Sequence, residues 1–241
     1  MMENSLFIEK TLSTNLLLWK MNREKALPEG FVVFTDFQTA GKGQIGNSWE
    51  SEAGKNLLFS MVLYPKQVPV DQLFLISQLV SIGIKSVLGE YVDDITVKWP
   101  NDIYWKNKKI AGILLENSLQ GNKIKTVVIG IGLNVNQKVF ISDAPNPVSL
   151  CQITGKSLNR KLILNKINRN ILNLYDELDA EKIRSEYAES LYRKDGFHRF
   201  NADGKSFQAK IIFVHPDGQL ELEIENGERK GFYFKEVKFA I

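Results

Sequence analysis

The sequence predicts a mixed α/β protein, a sheet flanked by helices, followed by a small all-β module. Three observations carry this. Apolar residues recur at three- and four-residue steps over residues 71–88 and 164–178, the spacing of one helical face. Between and before them lie short stretches rich in β-branched and aromatic residues, the composition of strands. Beyond Asp195-Gly196 only short β-like segments remain.

Taken in order, Ser13-Thr14-Asn15 precedes Leu16-Leu17-Leu18-Trp19 and predicts an N-capped helix. Residues 31–37 and 56–63 read as strands, joined by the polar loop Gln38-Thr39-Ala40-Gly41-Lys42-Gly43-Gln44-Ile45-Gly46-Asn47. Leu73, Ile76, Val80, Ile84 and Val87 share one helical face, and Gly89 is a stop signal. Residues 95–98 form a strand that Trp99-Pro100-Asn101-Asp102 ends. Residues 103–105 and 109–116 flank Lys106-Asn107-Lys108 and predict a hairpin. Residues 125–135 are apolar almost without interruption through Ile131, as a central strand would be; Gly130 and Gly132 within it signal close approach of another group. Leu164, Ile167, Ile171, Leu174, Tyr175 and Leu178 mark a long helix, with a second helical stretch to about residue 191. Residues 206–214, 219–225 and 230–234 are β-like, separated by His215-Pro216-Asp217-Gly218 and Glu225-Asn226-Gly227, both turn chemistry. The expected division is a catalytic unit over residues 1–192 and a small barrel over 196–241.

The 241 residues are 44% hydrophobic and 24% charged, which excludes a disordered chain. No apolar run approaches the roughly 18 residues of a membrane span, so nothing is expected to cross a bilayer, and no signal peptide is visible at the start. The net charge of +3 is too slight to announce a nucleic-acid surface. A single cysteine, Cys151, excludes an internal disulfide and a cysteine-built zinc site, and fits a reducing, cytoplasmic setting. It reads as a small buried hydrophobe; Trp19 and the 164–178 stripe read as core, and His198 and His215 carry no assigned chemistry.

Three segments could hold chemistry. The glycines at 41, 43 and 46 let backbone amides face an anion beside Lys42. The same loop reads equally as a surface connection between two strands. It is not a Walker A loop, which places Ser or Thr directly after Gly-Lys, and a dinucleotide fingerprint would lead from strand into helix. The predicted hairpin brings Lys98 or Lys109 to the same mouth as Asp102, either as a surface ion-pair cluster or as a site. Asn134, at the end of the central strand, is either a strand cap or a reader of a purine edge.

Together these motifs resemble one family, the biotin–protein ligases. The resemblance rests on Ser13-Thr14-Asn15, the stretch Gln38 to Trp49, Gly54-Lys55-Asn56-Leu57, Lys98-Trp99-Pro100-Asn101-Asp102, Lys109 to Glu116, and Gly130-Ile131-Gly132-Leu133-Asn134, and it covers about residues 11–241. It implies a core like that of class II tRNA synthetases with an SH3-like C-terminal barrel. It implies a two-step reaction: biotin and ATP give biotinyl-5′-AMP, and a lysine of a biotin carboxyl carrier domain then takes the biotin. ATP, Mg²⁺ and biotin are the implied small molecules, with no metal ligands assigned. The implied catalytic residues are Lys109, Asp102 and Lys42. Ser13, Thr14, Asn15, Gln38, Gly41, Lys42, Gly43, Gln44, Lys109 and Gly112 would contact biotin, with Gly112 leaving room beside its ring. Lys42, Trp49, Asn101, Lys109, Asn134 and Phe140 would contact ATP or the adenylate. Lys98 would support Asp102.

The chain departs from the family pattern at the phosphate loop, where Gln44-Ile45-Gly46-Asn47 stands in place of arginine-rich sequence. Weaker retention of the adenylate is expected there, since lysine lacks the bidentate fork of arginine. Many relatives carry an N-terminal helix-turn-helix; only a dozen residues precede Ser13 here, so a ligase without DNA binding is expected. No membrane partner is expected, and the sequence does not reveal whether the chain is a monomer or a homodimer. The loops at 41–50 and 137–147 are expected to order on ligand binding. The rival readings are a lipoate–protein ligase, against which Lys98-Trp99-Pro100-Asn101-Asp102 argues, and a catalytically silent binding protein, against which Lys109 and Asp102 argue.

Overall fold

A computed structural model describes residues 4–43, 48–142 and 146–240. Gln44 to Asn47 fall outside the described residues. The main sheet has seven strands in the order β1-β2-β3-β7-β6-β5-β4: β1 (Ser5–Thr11), β2 (Val32–Gln38), β3 (Leu57–Leu63), β4 (Ile95–Lys98), β5 (Asp102–Trp105), β6 (Lys108–Gln120) and β7 (Lys123–Leu133). Among the described strands of this sheet, β1 and β2 pair in parallel and the other neighbours pair antiparallel. β3 is buried at every residue because both of its faces are covered. On one face lies α1 (Thr14–Glu24), where Leu18 packs with Val33, Val62 and Val128. On the other lie α2 (Phe74–Gly89), α4 (Arg160–Glu177) and α5 (Ala180–Glu189), against Phe59, Met61, Ile129 and Ile131.

The sequence-level expectation of no membrane-length apolar segment needs correction. Val70–Gly89 is long and apolar enough to cross a membrane by length and composition, with a mean hydropathy of 1.4. Its apolar surface is instead spent inside the protein: 67% of the stretch is buried, under the sheet and beside α4 and α5. A helix hydrophobic all round is a core helix when other elements enclose it.

Three of the five described α-helices begin on a side-chain cap; α2, preceded by Leu73, and α1 do not. Asn159 caps α4 by accepting from Leu162 N, and Asp179 caps α5 by accepting from Lys182 N. The short helix α3 (Leu150–Thr154) opens on a capping box of Ser149 and Gln152. At α1 the boundary residue is Ser13 as expected, but its side chain makes no capping bond. The Thr14 amide is satisfied instead by Gln38 Oε1 at 2.7 Å.

The C-terminal residues form a five-stranded antiparallel sheet, β11-β10-β9-β8-β12, from β8 (His198–Ala202), β9 (Lys205–Val214), β10 (Leu220–Ile224), β11 (Arg229–Phe232) and β12 (Lys238–Phe239). It packs against the main sheet: Phe239 lies against Tyr192 and Phe200, and the buried Trp99 Nε1 donates to Gly218 O at 3.0 Å. Strands β1, β8 and β12 and helix α3 were not anticipated. β1 is an edge strand with no residue fully buried, so no apolar period marks it, and β12 is two residues long.

Candidate active site

The α1 face of the main sheet carries the site, and strand register builds it. Asp102, Gly112, Gly132 and Leu58 lie side by side across β5, β6, β7 and β3. The next row holds Leu114, Gly130 and Ser60. Three glycines on neighbouring positions of one face leave a trough in the sheet surface. Side chains from elsewhere use that space. A Cβ on Gly132 would fall within the Trp49 indole, one on Gly112 would lie 2.9 Å from Trp49 Cζ3, and one on Gly130 would overlap the Asn15 amide.

The N-terminus of α1 forms one wall. Gln38 Oε1 accepts from the Thr14 amide and, at 3.1 Å, from Thr14 Oγ1. Ser60 Oγ lies 2.7 Å from Thr14 Oγ1 and 2.5 Å from Asn15 Oδ1, and donates to one of them. Asn15 Nδ2 donates to Glu116 Oε2 at 2.8 Å. Ser60 and Glu116 are participants that sequence reasoning missed. The available signal for Ser60 was one hydroxyl within the otherwise apolar β3. Because Asn15 is held from two sides, a methyl group at Gly130 has nowhere to go. Gly130→Ala is expected to destabilise the fold by about 1–3 kcal/mol, the usual cost of overpacking, read as a lower midpoint of urea unfolding; an unchanged midpoint would show that Asn15 yields.

A bulge sets the charged end of the trough. Between β5 and β6 the register skips Ile110, so that Lys109 stands opposite Tyr104 while Ala111 and Gly112 pair with Ile103 and Asp102. Lys109 Nζ reaches Asp102 Oδ1 at 2.7 Å, with about a quarter of each side chain exposed. It also lies 5.6 Å from the Trp49 ring centre. Of the two lysines that the sequence offered to Asp102, Lys109 is the one that pairs. Lys98 donates to Tyr104 OH at 3.2 Å and sits over the Tyr104 and Phe239 rings. Burial lowers the pKa of the Lys98 ammonium below its ordinary value, with Asp102 opposing this and Lys109 and Arg193 adding to it.

Ser13, Thr14, Asn15, Gln38, Lys42, Gly43, Trp49, Asp102, Lys109 and Gly112 all line this trough, in which about 50 Å³ stays open beside the Trp49 indole. Lys42 and Ser48 form an antiparallel bridge, and Trp49 N donates to Gly41 O, which closes the base of the phosphate loop. Gly41, Lys42, Gly43 and Asn101 line an adjoining groove of about 1170 Å³ that runs to Asp217, Gly218, Tyr233 and Phe234 of the C-terminal sheet. Asn101 is committed to Ile113, donating to its carbonyl from Nδ2 and accepting its amide on the backbone. Asn134 is buried, and its Nδ2 donates to Val148 O at 3.2 Å. Its Oδ1 is buried without a partner, as is Trp49 Nε1. Phe140 is half-buried in the 137–142 stretch and lines neither cavity. Gln44, also expected at the site, lies outside the described residues.

Comparison with known proteins gives this arrangement relatives. Residues 7–134 match the model of the biotin/lipoate A/B protein ligase family. The bifunctional ligase/repressor BirA of Bacillus spizizenii is 36% identical over 218 residues, covering 84% of this chain and 64% of that protein. Biotin–protein ligase 2 of Arabidopsis thaliana is 30% identical over 185 residues, 71% of this chain and 53% of that one. The chain thus spans less than two thirds of the length of these curated relatives. A biotin protein ligase from Aquifex aeolicus, solved with biotin and ATP, superposes with a TM-score of 0.79 over 99% of this chain and 100% of that one at 24% identity, a likeness of fold.

Proposed function

Because the chain belongs to the biotin/lipoate A/B protein ligase family, we propose that it is an ATP-dependent biotin–protein ligase acting on a biotin carboxyl carrier domain. The observation that carries this reading is a largely uncharged trough whose charged lining residues are Lys42 and the Lys109–Asp102 pair. The floor is glycine, the wall is Ser13, Thr14 and Gln38, and the Lys109–Asp102 pair closes one end. Biotin is a neutral fused ring bearing a urea at one end and a carboxylate at the other. Such a ligand calls for apolar surface, a few placed hydrogen bonds and a cation at its acid end. With Gln38 Oε1 committed to Thr14, its Nε2 is the donor left for the urea oxygen.

In the first step a biotin carboxylate oxygen attacks the α-phosphorus of ATP, and the bond to pyrophosphate breaks. Two anions must approach, so Lys109, Lys42 and the Gly41 and Gly43 amides would stabilise the charge that accumulates. The unpaired Asn134 Oδ1 offers an acceptor to the exocyclic amine of adenine. Trp49 would cover the base; its indole now rests on Gly112 and Gly132, so it must shift as ligands enter. Among the described residues no three His, Cys, Asp or Glu side chains converge, so a magnesium ion would be held mainly by triphosphate oxygens and water. In the second step a lysine amine of the carrier attacks the acyl carbon, AMP leaves, and Asp102 would orient the amine and favour its neutral form. We take residues 1–192 as the catalytic unit and 196–241 as an SH3-like module beside it. The free, buried Cys151 supports a reducing, cytoplasmic setting.

One assay tests the whole reading. Biotin-dependent exchange of pyrophosphate into ATP is expected, followed by biotin transfer to a carrier domain. Exchange supported by lipoate and not by biotin would move the chain to the other branch of its family, and exchange with neither acid would refute ligase activity.

A further inference from the structure

The 137–142 stretch is tied to the segment that carries Trp49 through one carboxylate. Glu50 Oε1 accepts from the Ile141 amide at 2.9 Å and from Gln137 Nε2 at 3.2 Å, and Glu50 Oε2 accepts from the Ser142 amide at 2.9 Å. Gln137 is itself a buried hub. Its Oε1 accepts from the Glu52 amide at 2.9 Å and from Asn56 Nδ2 at 2.6 Å, while its Nε2 also donates to Val139 O. Burial of Glu50 works against its charge, but the bonds from Ser142, Ile141 and Gln137 outweigh it and hold the carboxyl below its ordinary pKa. The carboxylate is therefore ionised at neutral pH and makes charge-assisted bonds to two backbone amides.

Both ends of the connection that contains this stretch are anchored at the site. On the near side, Asn134 N donates to Ile110 O. On the far side, Lys109 N donates to Asn146 O, Val148 N donates to Lys109 O, and Asn134 Nδ2 donates to Val148 O. Glu50 is covalently next to Trp49, whose indole lies on Gly112 and Gly132 and beside Lys109. A carboxylate at position 50 thus fastens a connection that is hydrogen-bonded to both Lys109 and Asn134 to the residue next to Trp49, which lies beside Lys109. Val139 and Ile141 gain little burial in that stretch, with 68% and 88% of their surface open to solvent, and Phe140 between them is half-buried. Apolar packing of Val139 and Ile141 holds little of it, and the hydrogen bonds to Glu50 and Gln137 tie it down.

We propose that Glu50 is a positioning residue which, by clasping the 137–142 stretch to the Trp49 segment, holds Trp49, Lys109 and Asn134 in one arrangement and thereby sets the affinity for the nucleotide. The nucleotide part rests on the ligase reading above; the clasp itself does not.

The test uses Glu50→Gln, which keeps the size and one acceptor oxygen, and Glu50→Ala, each in the full chain. Hydrogen exchange of the Ile141 and Ser142 amides is expected to quicken by about tenfold or more in both variants, the loss of one charge-assisted bond. Thermal unfolding of Glu50→Gln is expected to stay near that of the unaltered chain. In pyrophosphate exchange the KM for ATP is expected to rise about tenfold, with the KM for biotin and kcat changed less than about threefold. Unchanged amide exchange would overturn the clasp. Faster amide exchange with an unchanged KM for ATP, or with both KM values raised alike, would overturn the positioning role. An unaltered chain that shows no pyrophosphate exchange would defeat the ligase reading and the nucleotide role with it, and the amide measurement would still decide the clasp.

Discussion

Lys109→Ala is expected to lower biotin-dependent pyrophosphate exchange by about 10²–10³-fold, the scale on which removal of one preorganised charge-stabilising donor acts. Three observations concentrate the effect on this residue. Its Nζ sits in a trough whose other charged lining residues are its partner Asp102 and Lys42 of the phosphate loop. Its backbone is hydrogen-bonded in both directions, to Asn146 O and from Val148 N, so the strand cannot slide to bring another cation into place. Lys98, the cross-strand neighbour of Asp102, is occupied with Tyr104 and Phe239. Lys109→Met keeps the bulk and removes the charge, and an equal loss is expected from it. The fold should barely respond. Both partners of the ion pair are partly exposed, and such pairs contribute about 1 kcal/mol or less. The measurement is the exchange rate at saturating biotin and ATP beside an unfolding curve. A rate within about fivefold of the unaltered chain would remove Lys109 from the chemistry.

How far this site could be read in advance depends on how local each cause is. The helix faces of α2 and α4 and the two turns of the C-terminal sheet are written in contiguous residues. Gly218 and Gly227 adopt φ of 93° and 85° at those turns, as the glycines in Asp217-Gly218 and Asn226-Gly227 imply. The glycines of β7 announced close approach, but not what approaches. That needed register: Gly130 meets Asn15, and Gly132 meets a tryptophan from a loop 83 residues earlier in the chain. The contacts that hold the wall are longer still, with Asn15 and Glu116 separated by 101 positions. Asp102 had two candidate partners in the sequence because Lys98 faces it across β4 and β5 while Lys109 pairs with Tyr104, two residues from Asp102 on the same face of the hairpin. Lys98 is drawn to Tyr104 and Phe239 instead, and Phe239 comes from the far end of the chain, so no local signal separates the two lysines. Phe140, expected over the nucleotide, is half-buried and lines neither cavity, and its neighbours Ile141 and Ser142 donate their amides to Glu50. Glu50 itself is a common surface residue in an unremarkable position, and only the hydrogen bonds it accepts from Gln137, Ile141 and Ser142 single it out.

Asp102→Asn separates the two steps of the proposed reaction. Asparagine preserves shape and one acceptor oxygen, so Lys109 keeps a hydrogen-bond partner in place of the 2.7 Å ion pair. Pyrophosphate exchange, which draws on the cation of Lys109, is therefore expected to survive within about tenfold of the unaltered chain. Transfer asks for something asparagine cannot give. The incoming lysine arrives as an ammonium and must lose a proton before it attacks, and only a carboxylate can both attract that ammonium and take up its proton. Loss of such a group costs about 10²–10⁴-fold. Two controls make the assignment strict. Release of AMP after mixing preformed biotinyl-5′-AMP with a carrier domain isolates the second step from the first. Repeating it with hydroxylamine, an amine already neutral at pH 7, should narrow the gap between Asp102→Asn and the unaltered chain, because that nucleophile has no proton to surrender beforehand. A variant that lost exchange and kept transfer would reverse the roles given to Lys109 and Asp102, and a gap equally wide with hydroxylamine would leave Asp102 as a structural partner of Lys109 alone.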